Sequence, residues 1–184
     1  MPFLSRQAIE RKALSLLRES DQLQAPIDVE SVAKHLGIRV EYANLDDDCS
    51  GVLVKSDDGS AVIGVNWDHH SNRQRFTIAH EIAHFALNHE GGTFVDKGAY
   101  VNVKFRDQDA YSGKISDERQ ANQFAAALLM PAPLVRSAFQ EDRLLDPGDD
   151  EALASLAHTF EVSPQAMMFR LQNLRLLSAA KNPF

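Results

Sequence analysis

Along the chain the apolar positions change period twice, and those changes divide it into elements. Residues 5–20 set Ala8, Ile9, Leu14, Leu16 and Leu17 among charged neighbours, the spacing of an amphipathic helix. A second helix is expected over 28–36, with Asp28 as its N-cap and Gly37 as its stop. The period then shortens to two. Residues 38–42 alternate like a half-buried strand, and 51–54 and 61–65 read as two more, joined by a turn at Asp57-Asp58-Gly59. Helical spacing returns over 71–87 and again over 117–129, where Met130-Pro131 ends it. The polar stretch between those helices, 91–116, is long enough to need structure of its own. Two or three helices close the chain, with breaks at Asp146-Pro147-Gly148 and Val162-Ser163-Pro164. Ser163 as cap and Pro164 as first helical residue make a strong helix start. This pattern predicts an α+β fold: a small antiparallel sheet packed on a helical core, with C-terminal helices.

Composition narrows the class. The chain has 184 residues, 44% apolar and 24% charged, which suits one soluble globular domain over 1–184. Within it, 5–36 form N-terminal helices, 38–130 the sheet and the motif-bearing helices, and 131–184 a C-terminal helical segment. Cys49 is the single cysteine, so an internal disulfide framework and a cysteine-rich zinc site are both excluded. A lone thiol also suits a reducing cytoplasm, the expected location. The first residues soon meet Glu10, Arg11 and Lys12, which leaves no signal-peptide apolar region. No apolar run approaches the roughly 20 residues of a membrane span. A net charge of -7 argues against a surface devoted to phosphate backbones, and so against direct DNA binding.

The chemistry is concentrated in His80-Glu81-Ile82-Ala83-His84, an H-E-x-x-H motif inside the 71–87 helix. Residues four apart on a helix lie one turn above each other, so both imidazoles project from one face. They offer two nitrogen ligands to one Zn²⁺, with Glu81 beside them to handle the proton of a water molecule. That combination predicts a metallohydrolase.

A catalytic zinc usually takes a third protein ligand. The metzincin pattern would place Gly at 87 and His at 90, but the chain has Leu87 and Glu90. His89 lies about 140° round a continuing helix from His84 and reaches a shared metal only if the helix breaks first. Glu118, on the next helix, would complete a His₂Glu set. Asn122, one turn further, would offer an amide oxygen to a ligand histidine's free N–H. By spacing alone, Glu118 reads equally well as an acid placed near a helix N-terminus for its dipole.

Residues 75–85 around the motif, together with Glu118-Arg119-Gln120-Ala121-Asn122-Gln123-Phe124-Ala125 and its continuation to Met130-Pro131, resemble the ImmA/IrrE family of bacterial metallo-endopeptidases. Val65-Asn66, Arg106-Asp107 with Ser112-Gly113, and a tail running from Leu156 to Leu171 extend the likeness over roughly 27–177. The resemblance implies His80, His84 and Glu118 as ligands of Zn²⁺, or of Mn²⁺ in its place, and Glu81 as general base. It also implies a protein substrate, a helix-turn-helix transcriptional repressor, cleaved to switch genes on. Where the family often has Gly, this chain has Ala83, a harmless change on a helix. Tyr100, Arg106 and Tyr111 are candidate oxyanion donors. The 61–65 strand, by analogy with related peptidases, is expected to form an edge on which an extended substrate adds.

Other features have plainer readings. Asp46-Asp47-Asp48 is a solvated loop, His69-His70 a loop pair, and His35 and His158 sit near helix C-termini where the dipole favours them. Cys49 reads as a packed thiol, and Met167-Met168-Phe169 as core filling. Two rival functions remain on these residues. One is a zinc-containing regulatory module that controls a repressor or toxin partner without cutting it, although such a site needs no Glu81. The other is a DNA-binding unit over 153–177, whose second helix has only Arg170 and Arg175 as cations.

Overall fold

In the computed structural model, residues 4–46, 48–56, 58–89, 93–97, 108–138 and 145–178 are described. The first helix, α1 (Arg6–Glu19), starts where the Ser5 hydroxyl accepts from the Ala8 N–H, and it buries Ile9, Ala13, Leu16 and Leu17 along one stripe. Helix α2 (Val29–His35) is capped by Asp28, which accepts from Ser31 N–H at 3.0 Å. It stops at Gly37, whose φ of 74° is the left-handed conformation that a residue after a helix adopts readily only as glycine.

Strands β1 (Ile38–Ala43), β2 (Cys49–Lys55), β3 (Ala61–Asn66) and β4 (Thr93–Lys97) form one sheet in the order β1-β3-β2-β4. The fold is α+β as expected, but the sheet is mixed and not purely antiparallel. β2 pairs antiparallel with β3 and β4, whereas β1 runs parallel to β3 with Ile38 opposite Ala61. The connection from β1 to β2 passes over the end of β3 and comes down on its far side. That crossing spans two strand spacings, about 10 Å, within easy reach of the short loop at 44–48. The expected edge role of 61–65 is therefore overturned: β3 is bonded on both sides, and among the described strands the edges are β1 and β4. Strand β4 lies inside the stretch at 91–116 that was expected to hold structure of its own.

Helix α3 (Ser71–Ala86) packs across β2 and β3 and against α4 (Gln108–Leu129). Gly51 makes the close approach possible: a Cβ there would stand 2.3 Å from Thr77 Cγ2. Asn66 fixes where β3 hands over to α3, donating to Cys49 O at 3.0 Å while its own carbonyl accepts from Gln74 Nε2 at 3.1 Å. Arg75 ties α3 outward, donating to Ile27 O at 2.8 Å and pairing with Glu161. Helix α4 begins nine residues before the expected Asp117 and packs along α1.

The C-terminal helices are α5 (Ala132–Ser137), α6 (Asp150–Phe160) and α7 (Pro164–Leu174), the last capped by Ser163 as the sequence indicates. Arg170 reaches from α7 into the interior, donating to Met130 O at 2.8 Å and gripping the Glu10 carboxylate through both NH groups. It is 2% exposed, so it contributes nothing to a phosphate-binding face, and over 153–177 the helices α6 and α7 pack against each other. Of the expected core trio, Met167 is buried, but Phe169 is 56% exposed. No helix among the described residues is long and apolar enough to cross a membrane.

Candidate metal centre

The site lies between α3 and α4. His80 and His84 are one turn apart on α3 and buried at 4% and 1% exposure, because their helix is sandwiched between sheet and α4. Glu118 comes from α4, half-exposed, with its carboxylate turned to the two rings. His80 Nε2 is 3.2 Å from Glu118 Oε2, His84 Nε2 is 3.4 Å from Oε1, and the two Nε2 atoms are 3.0 Å apart. These separations test whether a metal fits. Ligand atoms held about 2.0–2.2 Å from a tetrahedral zinc stand roughly 3.3–3.5 Å from one another. The observed separations, with Glu118 meeting each ring through a different oxygen, are close to that spacing, and the two imidazoles and one carboxylate are the donor types zinc takes.

Electrostatics agree with the geometry. Burial would push the Glu118 carboxyl up, but hydrogen bonds to His80 and His84 outweigh it and hold the group well below the usual carboxylate range. Burial lowers the His84 pKa, which favours the neutral ring that a metal requires. Each histidine is also held by its second nitrogen. His80 Nδ1 lies 3.1 Å from Asn122 Oδ1, so an Nδ1–H can donate there and leave Nε2 free as a ligand. Glu118 sits ten residues into α4, well beyond the first turn, which removes the helix-dipole reading of that acid.

A family model described as the IrrE N-terminal-like domain matches residues 33–172, which include His80, Glu81, His84 and Glu118. The chain belongs to this IrrE-like family of metalloproteases. Among its relatives, the radiation response metalloprotease IrrE of Deinococcus radiodurans is 34% identical over 113 residues, covering 60% of this chain and 30% of that protein. A solved Mycobacterium tuberculosis transcriptional regulator superposes with a TM-score of 0.57 at 18% identity, over 90% of this chain and 46% of its own; that likeness is one of fold. The chain therefore spans less than half the length of either relative.

In this IrrE-like domain the other candidates fall elsewhere. Glu81 is next to His80 on α3 and completely buried. Tyr100 and Arg106 lie outside the described residues, as does the side chain of Tyr111 in α4. Cys49 is packed in β2 with its thiol donating to Gly51 O at 3.4 Å. His70 caps α3, its Nδ1 accepting from Asn72 N–H at 3.2 Å, a role that spacing did not suggest. By spacing, His89 reaches a shared metal only if the helix breaks after His84. The helix does break: Leu87 is its C-cap, and Asn88 takes a φ of 53°. His89 then folds back so that its amide donates to His84 O at 3.1 Å. Its ring, however, meets His84 Nδ1 at 3.0 Å, on the side of that imidazole away from Glu118. It touches a candidate ligand and is not one of the three converging groups. The signal in the sequence was Asn88, a residue that tolerates the left-handed turn ending a helix.

Proposed function

We propose that this domain is a zinc-dependent endopeptidase acting in the cytoplasm on a specific bacterial regulatory protein, a helix-turn-helix repressor. The observation that carries the reading is the convergence of His80 Nε2, His84 Nε2 and the Glu118 carboxylate within 4.8 Å of one another. Those three side chains would hold the metal. When bound, the ion supplies a Lewis acid for the scissile carbonyl and makes a water molecule acidic enough to ionise near neutral pH.

The remaining work belongs to the chain. Glu81 accepts the proton of the attacking water and delivers it to the nitrogen of the leaving amine. Asn122 holds the His80 ring in its orientation, so the ligand face does not have to reorganise during the reaction. Tyr100, Arg106 and Tyr111 are the candidates for a second donor to the oxyanion. A groove of about 870 Å³ has Phe76, Asn122, Ala126, Met130 and Phe169 among its walls and none of the three candidate ligands. Phe76 and Asn122 both neighbour His80, Asn122 at its Nδ1, so the groove lies behind that ring and is walled also by α1 and α7. Its mainly apolar lining supports a polypeptide substrate. Among the described strands, β1 and β4 are the edges at which an extended segment can add to the sheet.

Co-expression with a candidate helix-turn-helix repressor, followed by intact-mass measurement, tests the reading. The wild-type protein is expected to yield two fragments, and Glu81→Gln none while retaining its metal. A repressor that stays whole while its target genes are induced equally by wild type and Glu81→Gln would favour the non-cleaving regulatory module instead.

A further inference from the structure

The fold-back of His89 buries a second imidazole behind the metal site, at 4% exposure, and places a carboxylate behind that. His89 Nδ1 is 3.0 Å from His84 Nδ1, and His89 Nε2 is 3.8 Å from Asp117 Oδ1. Asp117 and Glu118 are consecutive on α4, so one stretch of helix sends one carboxylate to each side of His84.

Proton counting leaves two arrangements for the pair. Of the two facing Nδ1 atoms, one must donate and the other accept. If His89 donates, His84 carries its proton on Nε2, which then points at Glu118 and His80 and has no lone pair for a metal. If His84 donates, its Nε2 lone pair is free, and His89 carries its proton on Nε2, facing Asp117. Asp117, 3.8 Å from His89 Nε2, favours the second arrangement by attracting that N–H, while Glu118, 3.4 Å from His84 Nε2, favours the first until a metal takes the place of the proton there.

We propose that His89 and Asp117 are positioning residues that lock His84 in the tautomer able to bind the metal. This rests on the reading of His84 as a ligand. The relay parallels the Asn122 contact to His80, but it passes through a second imidazole and ends on a charge. The αL turn at Asn88 builds it, since a continuing helix would carry His89 away from His84.

The test compares His89→Asn, His89→Leu and Asp117→Asn with wild type in the full chain. Metal binding is read by Zn²⁺ competition against a chromophoric chelator, and apoprotein melting is recorded alongside. Asn places an amide oxygen near the position of the His89 Nδ1 acceptor, whereas Leu fills the space without accepting. His89→Leu is expected to weaken Zn²⁺ binding about 10–100-fold, the usual cost of losing an outer partner of a ligand histidine. His89→Asn is expected to stay within about threefold of wild type, and Asp117→Asn to fall between them, as the ladder of acceptor strength requires. Imidazole ¹⁵N spectra of the zinc-loaded protein should show His84 protonated at Nδ1 in wild type and in His89→Asn.

Equal affinity in wild type and His89→Leu would overturn the relay, and so would equal weakening by Asn and Leu that tracks their melting temperatures. If His89→Leu does not fold, Asp117→Asn decides, because it leaves the packed imidazole in place. Wild-type affinity in His84→Ala would instead remove the ligand reading beneath the proposal.

Discussion

Gly51→Ala isolates the contact that seats the motif helix on the sheet. The Gly51 backbone lies outside the left-handed region, so alanine introduces no dihedral strain there, only a methyl group. That Cβ would meet Thr77 Cγ2 at 2.3 Å and Gly64 O at 3.0 Å. Ordinary carbon contacts begin near 3.4 Å, so the helix or Thr77 must give by about 1 Å. Thr77 is buried and branched at Cβ, which leaves it few rotamers in which to escape. Overpacking of this kind costs about 1–3 kcal/mol, and the lower chain entropy of alanine in the unfolded state returns about 0.4–1 kcal/mol. The net loss should appear as a fall in melting temperature of a few degrees, at about 2–4 °C per kcal/mol for a chain of this length. Thr77→Ser removes Cγ2, so in that background Gly51→Ala should cost clearly less, with the 3.0 Å approach to Gly64 O remaining. The assay is a double-mutant cycle by thermal melting and urea titration of the apoprotein, with an expected coupling of about 1 kcal/mol or more. An unchanged melting temperature in Gly51→Ala, or an equal loss in both backgrounds, would refute the packing argument.

The remaining predictions concern the site and its supports. His84→Ala and Glu118→Ala should each lose bound metal, checked by elemental analysis after dialysis; full metal content in both would remove the assignment. Glu81→Gln should keep the metal and slow cleavage of an established substrate by about 10²–10⁴-fold, measured by single-turnover kinetics. Glu10→Gln leaves the buried Arg170 guanidinium without its carboxylate and should cost about 3 kcal/mol by urea unfolding, toward the lower end for a broken buried pair because Glu10 is itself a quarter exposed. Burial and then His84 push the His89 pKa down to about 4, below the ordinary 6.5. The unfolded chain therefore binds that proton more readily, and apoprotein stability should be full above about pH 6.5 and decline toward about pH 4. His89→Asn should flatten this part of the pH–stability profile, and a profile identical to wild type would count against the shift.

What the chain determined locally was legible without coordinates. His80 and His84 share a face because four residues make about one helical turn, and Asn122 follows Glu118 by the same rule. The caps at Asp28 and Ser163 and the stop at Gly37 likewise depend only on neighbours within a few residues. The α+β class followed from the change of hydrophobic period. Strand order did not, since alternation in 61–65 says which side chains are buried and nothing about how many partners the strand has. Only the assembled sheet made β3 interior and left β1 and β4 as edges. The extra helical turns before Asp117 were hidden because polar residues around Ser112-Gly113 gave no apolar period to read. His89 shows the same division most sharply. Its spacing from His84 places it off the ligand face of an unbroken helix, and the left-handed turn at Asn88 brings it back against the other side of His84. Side-chain roles that depend on one turn of helix are written in the sequence. Those that depend on two segments meeting, as Glu118 meets His80 or Gly51 meets Thr77, exist only once burial of the core has brought the segments together.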